Sequence, residues 1–156
     1  MTYNPSDLLP QKTPMEFISA VESFDMENQT LIARVDIKDT DLLFQKNING
    51  VPSWAGMEYM AQSIACFIGC KDIYLTGKTG AVPGFILGSR DLHFLQSVYK
   101  IGQSYYIHVK SLFCDSNMAS FECIIMDEKG TIMANGILNA FRPDDLTNFM
   151  KDANHE

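Results

Sequence analysis

Glu58 and Gln62 stand four residues apart in a stretch, Ser53 to Cys70, that is otherwise uncharged and mostly apolar. On a helix that spacing places the carboxylate and the amide on one face, a turn apart, where the amide can donate to the carboxylate. Taking an ionised carboxylate out of water is costly unless it is partnered, and Glu is rarely buried alone. A carboxyl kept from water is suited to general acid or base chemistry. The same pattern also fits a helix that turns its apolar face inward and leaves Glu58 in solvent, so the pair needs its surroundings.

Other reactive side chains offer less. Trp54, the only tryptophan, lies one turn before Glu58, where it could wall a pocket and exclude water or simply fill the core. His93 falls in an extended run, Gly88 to Leu95, and reads as a surface or interface residue before it reads as a chemical one. His108 alternates with Tyr106 and Lys110 on an expected solvent face, and His155 sits in the tail. Cys66, Cys70, Cys114 and Cys123 lie in apolar contexts without a CxxC pair, which predicts reduced core thiols. Cys66 and Cys70 share a helix face, but without neighbouring His or Asp ligands they predict packing and no metal. The nine methionines fit a deformable lining or plain core.

The elements that must hold these residues can be read from period and punctuation. At 156 residues, 46% hydrophobic and 20% charged, the chain predicts a single domain over residues 1–156 with one substantial core. The net charge of −7, with 12 basic residues scattered along the chain, argues against nucleic acid as a partner. No signal peptide opens the sequence, so a cytoplasmic setting is expected. Three of six prolines fall in residues 1–16, an irregular lead-in. Leu31 to Lys38 alternates apolar and polar residues as a half-buried strand, with Phe17 to Phe24 as its hairpin partner across Met26-Glu27-Asn28-Gln29.

Asn47-Ile48-Asn49-Gly50 marks a loop leading to Pro52, after which Ser53 is the expected N-cap of a long helix, residues 53–70. Gly69 predicts its end near Cys70. The helix is too short and too polar to span a membrane, and apolar on nearly every side, so something must wrap it. Val82 to Leu95, Gln103 to Phe113, Met118 to Met126 and Thr131 to Phe141 are strand-like. Turns at Lys100-Ile101-Gly102-Gln103, Cys114-Asp115-Ser116-Asn117 and Asp127-Glu128-Lys129-Gly130 predict an antiparallel meander. A tail, residues 143–156, follows.

This order, α+β with a curved antiparallel sheet around one central helix, matches the hotdog fold. The segment Val51-Pro52-Ser53-Trp54-Ala55-Gly56-Met57-Glu58-Tyr59-Met60-Ala61-Gln62 resembles the start of the central helix in 3-hydroxyacyl-acyl-carrier-protein dehydratases. Leu9-Pro10-Gln11-Lys12-Thr13-Pro14 resembles their opening motif, and Phe85 to Phe94, followed by Val98 and Gly102, their third strand. The dehydratase-like proteins of aryl-polyene pigment clusters are similar across nearly the whole chain, including Gly50 to Trp54, Gly56 to Gln62 and Pro143-Asp144-Asp145-Leu146. The resemblance implies that Glu58 is the catalytic acid and Gln62 its helix glutamine. It further implies substrate binding near Asn47, Ser53, Trp54 and Gly56, with helix-start amides receiving the thioester carbonyl. One departure matters: where those enzymes carry a loop histidine, this chain has Asn47 to Gly50, and no histidine precedes His93.

The resemblance therefore implies a lyase that dehydrates 3-hydroxyacyl thioesters of acyl carrier protein in fatty-acid or polyene-type synthesis, without a cofactor. Acyl carrier protein is the expected partner, met by a basic patch drawn from Lys71, Lys78, Arg90 or Lys100. A homodimer, or a heterodimer with another hotdog dehydratase, is expected through the Phe85 to Leu95 edge. Two alternatives stand beside it: an acyl thioesterase using the lone carboxylate, and a non-catalytic or weakly active subunit that supports an active hotdog partner.

Overall fold

The computed structural model describes residues 16–77, 86–115 and 118–141 of the chain. Strands β1 (Ala20–Asp25) and β2 (Thr30–Asp36) form the expected hairpin. The turn between them is tied by the Asp25 carboxylate, which accepts from the Asn28 backbone and side chain at 3.1 and 2.7 Å. β3 (Gly50–Pro52) leads through a 3-10 turn, Ser53–Ala55, into helix α1 (Gly56–Thr76). Strands β4 (Ile86–Phe94), β5 (Val98–Lys100), β6 (Ser104–Cys114), β7 (Met118–Asp127) and β8 (Ile132–Phe141) follow. The result is the hotdog arrangement, one long helix laid on a large antiparallel sheet.

Period-two patterning does the sorting. Leu31, Ala33 and Val35 of β2, Tyr105, Ile107 and Val109 of β6, Phe121, Cys123 and Ile125 of β7, and Ala134, Leu138 and Ala140 of β8 all point inward and are buried. Against them α1 lays Tyr59, Met60, Ile64, Cys66, Phe67 and Cys70, so the helix is buried on nearly every side down to Cys70. Edge-to-face rings bind the layers, with Phe67 touching both Phe24 and Phe121 at centroid distances of 5.7 and 5.5 Å.

The sheet order differs from a meander. Six strands run β1-β2-β6-β7-β8-β4, with a separate two-stranded sheet of β3 and β5. The run expected to pair with β6 instead crosses to the far edge, where β4 pairs with β8 from Ile86↔Phe141 to Phe94↔Ala134. β6 takes β2 as its neighbour, Thr30↔Lys110 through Asp36↔Ser104. The segment between β4 and β6 is paired elsewhere. Val98 to Lys100 are claimed by β3, so the chain leaves the main sheet before a β4–β6 hairpin can close. The Val82 to Phe85 portion of the first run lies outside the described residues, as do the lead-in before Glu16 and the 143–156 tail.

The helix is also longer than 53–70. Ser53–Ala55 is a 3-10 turn, and Ser53 does not cap α1, whose N-cap is Ala55 with no side-chain hydrogen bond. At the other end the helix passes Gly69, which is buried within it, and runs on to Thr76. A glycine inside a helix costs only about 1 kcal/mol against alanine, which tertiary packing readily offsets. What stops it is Gly77, in the left-handed region at φ 71, whose N–H donates to the Ile73 carbonyl at 2.8 Å. Among the described residues no helix is long and apolar enough to cross a membrane.

Candidate active site

β3 and β5 fix the entrance to α1. Gly50, Val51 and Pro52 pair with Lys100, Tyr99 and Val98, and the Ser53 N–H donates to the Ser97 carbonyl at 2.9 Å. Ser53 thus has its backbone donor committed within the protein, as does Gly56, whose N–H returns to the Ser53 and Trp54 carbonyls. Gly56 does permit a close approach, but from the core side. A methyl there would collide with the Tyr99 hydroxyl and lie 3.2 Å from Ile125 Cδ1. Tyr99 is 1% exposed, and its hydroxyl has no hydrogen-bond partner among the described residues.

Tyr99 belongs to a chain of rings behind the helix start. Phe17 meets Tyr59, Tyr59 meets Tyr99, and Tyr99 meets Tyr105, all edge to face, at centroid distances of 6.0, 5.3 and 5.0 Å. Tyr105 finishes the chain with a satisfied hydroxyl, accepting from the Lys100 N–H at 2.8 Å and reaching Gln103 Oε1 at 3.2 Å. Burial pushes the Tyr59 and Tyr99 hydroxyls above the ordinary tyrosine range, so both stay neutral. These rings form a rigid apolar wall and supply no base.

On this base Glu58 sits at the third position of α1, half-buried, with its carboxylate near the positive end of the helix dipole. Gln62 lies one turn on, 1% exposed, and its Nε2 donates to Glu58 Oε1 at 3.0 Å. Gln62 Oε1 accepts from the Phe17 backbone N–H at 2.8 Å. The carboxylate is therefore neither the unpartnered core charge nor the fully solvated one that the sequence left open. It is held at the boundary by a buried amide. Sequence spacing found the pair; the Phe17 donor gave no signal, because it is a backbone group distant in the chain.

The other expected site residues are dispersed around that centre. Trp54 is 55% exposed, so it does not fill the core, and it lies on the surface at the helix entrance one turn before Glu58. Asn47 is exposed on a 3-10 turn, Lys46–Ile48, that closes through Asn49 in the left-handed region and the Gln45–Gly50 bridge. His93 is exposed on β4 opposite Asn135, past a bulge, and Phe94 and Leu95 beside it are exposed too. His108 is half-buried between Ile32 and Ile124, and burial holds its pKa below the usual histidine value. His155 lies outside the described residues.

Among the cysteines, Cys66, Cys70 and Cys123 are buried, with burial pushing the Cys70 and Cys123 thiols up to about 12. Cys114 departs from the expectation of a core thiol and is exposed at the end of β6, where a bulge turns the strand outward.

With the geometry in place, comparison with known proteins adds the following. The model of the ApeP-like family, described as ApeP dehydratase, matches residues 3–151. No curated protein sequence matches the chain. Among solved structures, the dehydratase heterocomplex ApeI:P from Xenorhabdus doucetiae superposes with a TM-score of 0.82 at 22% identity, covering 95% of this chain and 97% of that one. A hypothetical thioesterase with coenzyme A from Streptococcus pneumoniae TIGR4 gives 0.57 at 9% identity over 78% of this chain and 83% of that one. The E. coli PaaI protein from the phenylacetic acid degradation operon gives 0.55 at 8%, over 78% and 77%. At these identities the structural likenesses speak to the fold.

Proposed function

Because the chain belongs to the ApeP-like dehydratase family, we propose that it is a lyase for 3-hydroxyacyl thioesters of acyl carrier protein, with Glu58 as the acid–base group. The observation that carries this reading is the hydrogen bond from buried Gln62 to Glu58 Oε1 at the start of α1. In the dehydrating direction ionised Glu58 takes the α-proton, the β-carbon to oxygen bond breaks, and the same carboxyl returns the proton to the departing hydroxyl as water. One carboxylate thus balances the reaction, and Gln62 keeps it aimed. Trp54 shields the mouth, while Asn47 and Ser53 lie on the turns nearest the helix entrance. Gly56 lets Tyr99 pack flush behind the helix start.

Replacing Glu58 with Gln should abolish hydration of an enoyl thioester while leaving the fold intact. Undiminished turnover would sink the assignment. Release of free thiol from an acyl thioester, followed in the same samples, separates dehydratase from thioesterase.

A second reading has its own support. The Asn47 to Gly50 turn holds no histidine, and β4 ends the sheet as an exposed edge carrying His93, Phe94 and Leu95. Such a chain suits pairing with a second hotdog subunit that supplies the missing base. The similar Xenorhabdus structure is described as a dehydratase heterocomplex. Co-expression with a histidine-bearing dehydratase tests it: persistent homodimers and no change in the partner's activity would count against a supporting role.

A further inference from the structure

We infer that the Phe17 backbone N–H is a positioning group for Glu58, fixing the Gln62 side chain in the one orientation that donates to the carboxylate. This rests on the reading of Glu58 as the acid–base group. The two ends of a glutamine amide are nearly equal in size, so shape alone lets a buried glutamine turn either end toward its neighbour. A backbone N–H admits only the oxygen. With Oε1 accepting from Phe17 at 2.8 Å, Nε2 must face Glu58, where it lies 3.0 Å from Oε1. The flipped amide would set its own oxygen against the carboxylate and two donors against each other, at a site where water has little access.

The donor is itself anchored to both the helix and the sheet. Phe17 stacks edge to face on Tyr59, Ile18 is buried, and the Ser19 N–H donates to the Arg34 carbonyl of β2 at 2.8 Å. Ser19 Oγ accepts from the Asp36 N–H at 3.0 Å. The segment before β1 is thus pinned to the sheet, and through Gln62 it reaches the carboxylate.

The test takes away the Phe17 N–H and keeps the side chains on either side of it. An ester in place of the amide between Glu16 and Phe17, introduced into the full chain, keeps both side chains. Hydration of an enoyl thioester should lose about tenfold in kcat with KM unchanged, the scale of one hydrogen bond near a charged group. The Gln62 side-chain amide protons should also exchange faster by NMR. A merely structural contact would lower the melting temperature and leave kcat per folded molecule alone. If the ester chain does not fold, the parent protein still decides: by NMR the Phe17 amide proton should be protected from exchange and lose that protection in Gln62→Met, and an unprotected Phe17 N–H in the parent would overturn the inference.

Unchanged kcat and unchanged amide exchange in the ester, with Glu58→Gln inactive, would overturn the inference and leave the assignment of Glu58 standing. An active Glu58→Gln variant would instead remove the reading beneath it.

Discussion

Gly56→Ala tests how the helix start is packed, and the numbers can be worked from its neighbours. Gly56 has ordinary helical angles, φ −56 and ψ −31, so alanine carries no backbone strain and gains about 0.5–1 kcal/mol in helix propensity. Against this stands the added methyl, which collides with the Tyr99 hydroxyl. Tyr99 is walled by Tyr59 and Tyr105 at 5.3 and 5.0 Å and has no room to swing away. Overpacking of this kind costs about 1–3 kcal/mol, so the variant should lose a net ~1 kcal/mol.

Tyr99→Phe removes the colliding oxygen and also a buried hydroxyl without a partner among the described residues, which costs about 1–3 kcal/mol to keep desolvated. The single variant should be as stable as the parent or more so, and the double variant should recover the loss. The coupling expected in a double-mutant cycle is about 1–2 kcal/mol. Urea unfolding at one fixed protein concentration reads it, with a melting-point change of roughly 2–4 °C per kcal/mol for a chain of this size as a check. Additive effects of the two substitutions, or a fully stable Gly56→Ala with Tyr99 intact, would refute the packing argument.

Thiol titration of the native protein should modify Cys114 alone, with Cys66, Cys70 and Cys123 reacting only after denaturation; fast reaction of two or more native thiols would contradict their burial. His108 should make the fold sensitive to mild acid. Its folded pKa lies below the unfolded one, so the unfolded chain binds the extra proton first, and stability falls as pH drops from about 6.5 toward the folded value. His108→Gln should flatten the melting temperature across that window. An unaltered pH profile would mean that the imidazole is hydrated rather than buried.

Much of this molecule was legible without coordinates. The alternation in Leu31 to Lys38 and the Met26 to Gln29 turn specified the first hairpin, because strand period and turn chemistry are local. The Glu58 and Gln62 spacing gave the contact between them, because four residues on a helix are always neighbours. The order of the strands was not local. Each strand-like run carries donors and acceptors that any other run could satisfy, and in the fold Val98 to Lys100 pair with β3 while β4 pairs with β8 at the far edge.

Sequence by itself thus determined the main strands, the presence of the central helix, the family and the identity of the acid–base candidates, while the bounds of that helix and the short strands β3 and β5 waited on the fold. Tertiary structure decided what surrounds them. Trp54 went to the surface, Tyr99 took the space that Gly56 leaves, and a backbone N–H 45 residues before Gln62 set which end of its amide meets Glu58. Such choices come from competition for space and hydrogen bonds between distant segments, and no periodicity along the chain records who wins.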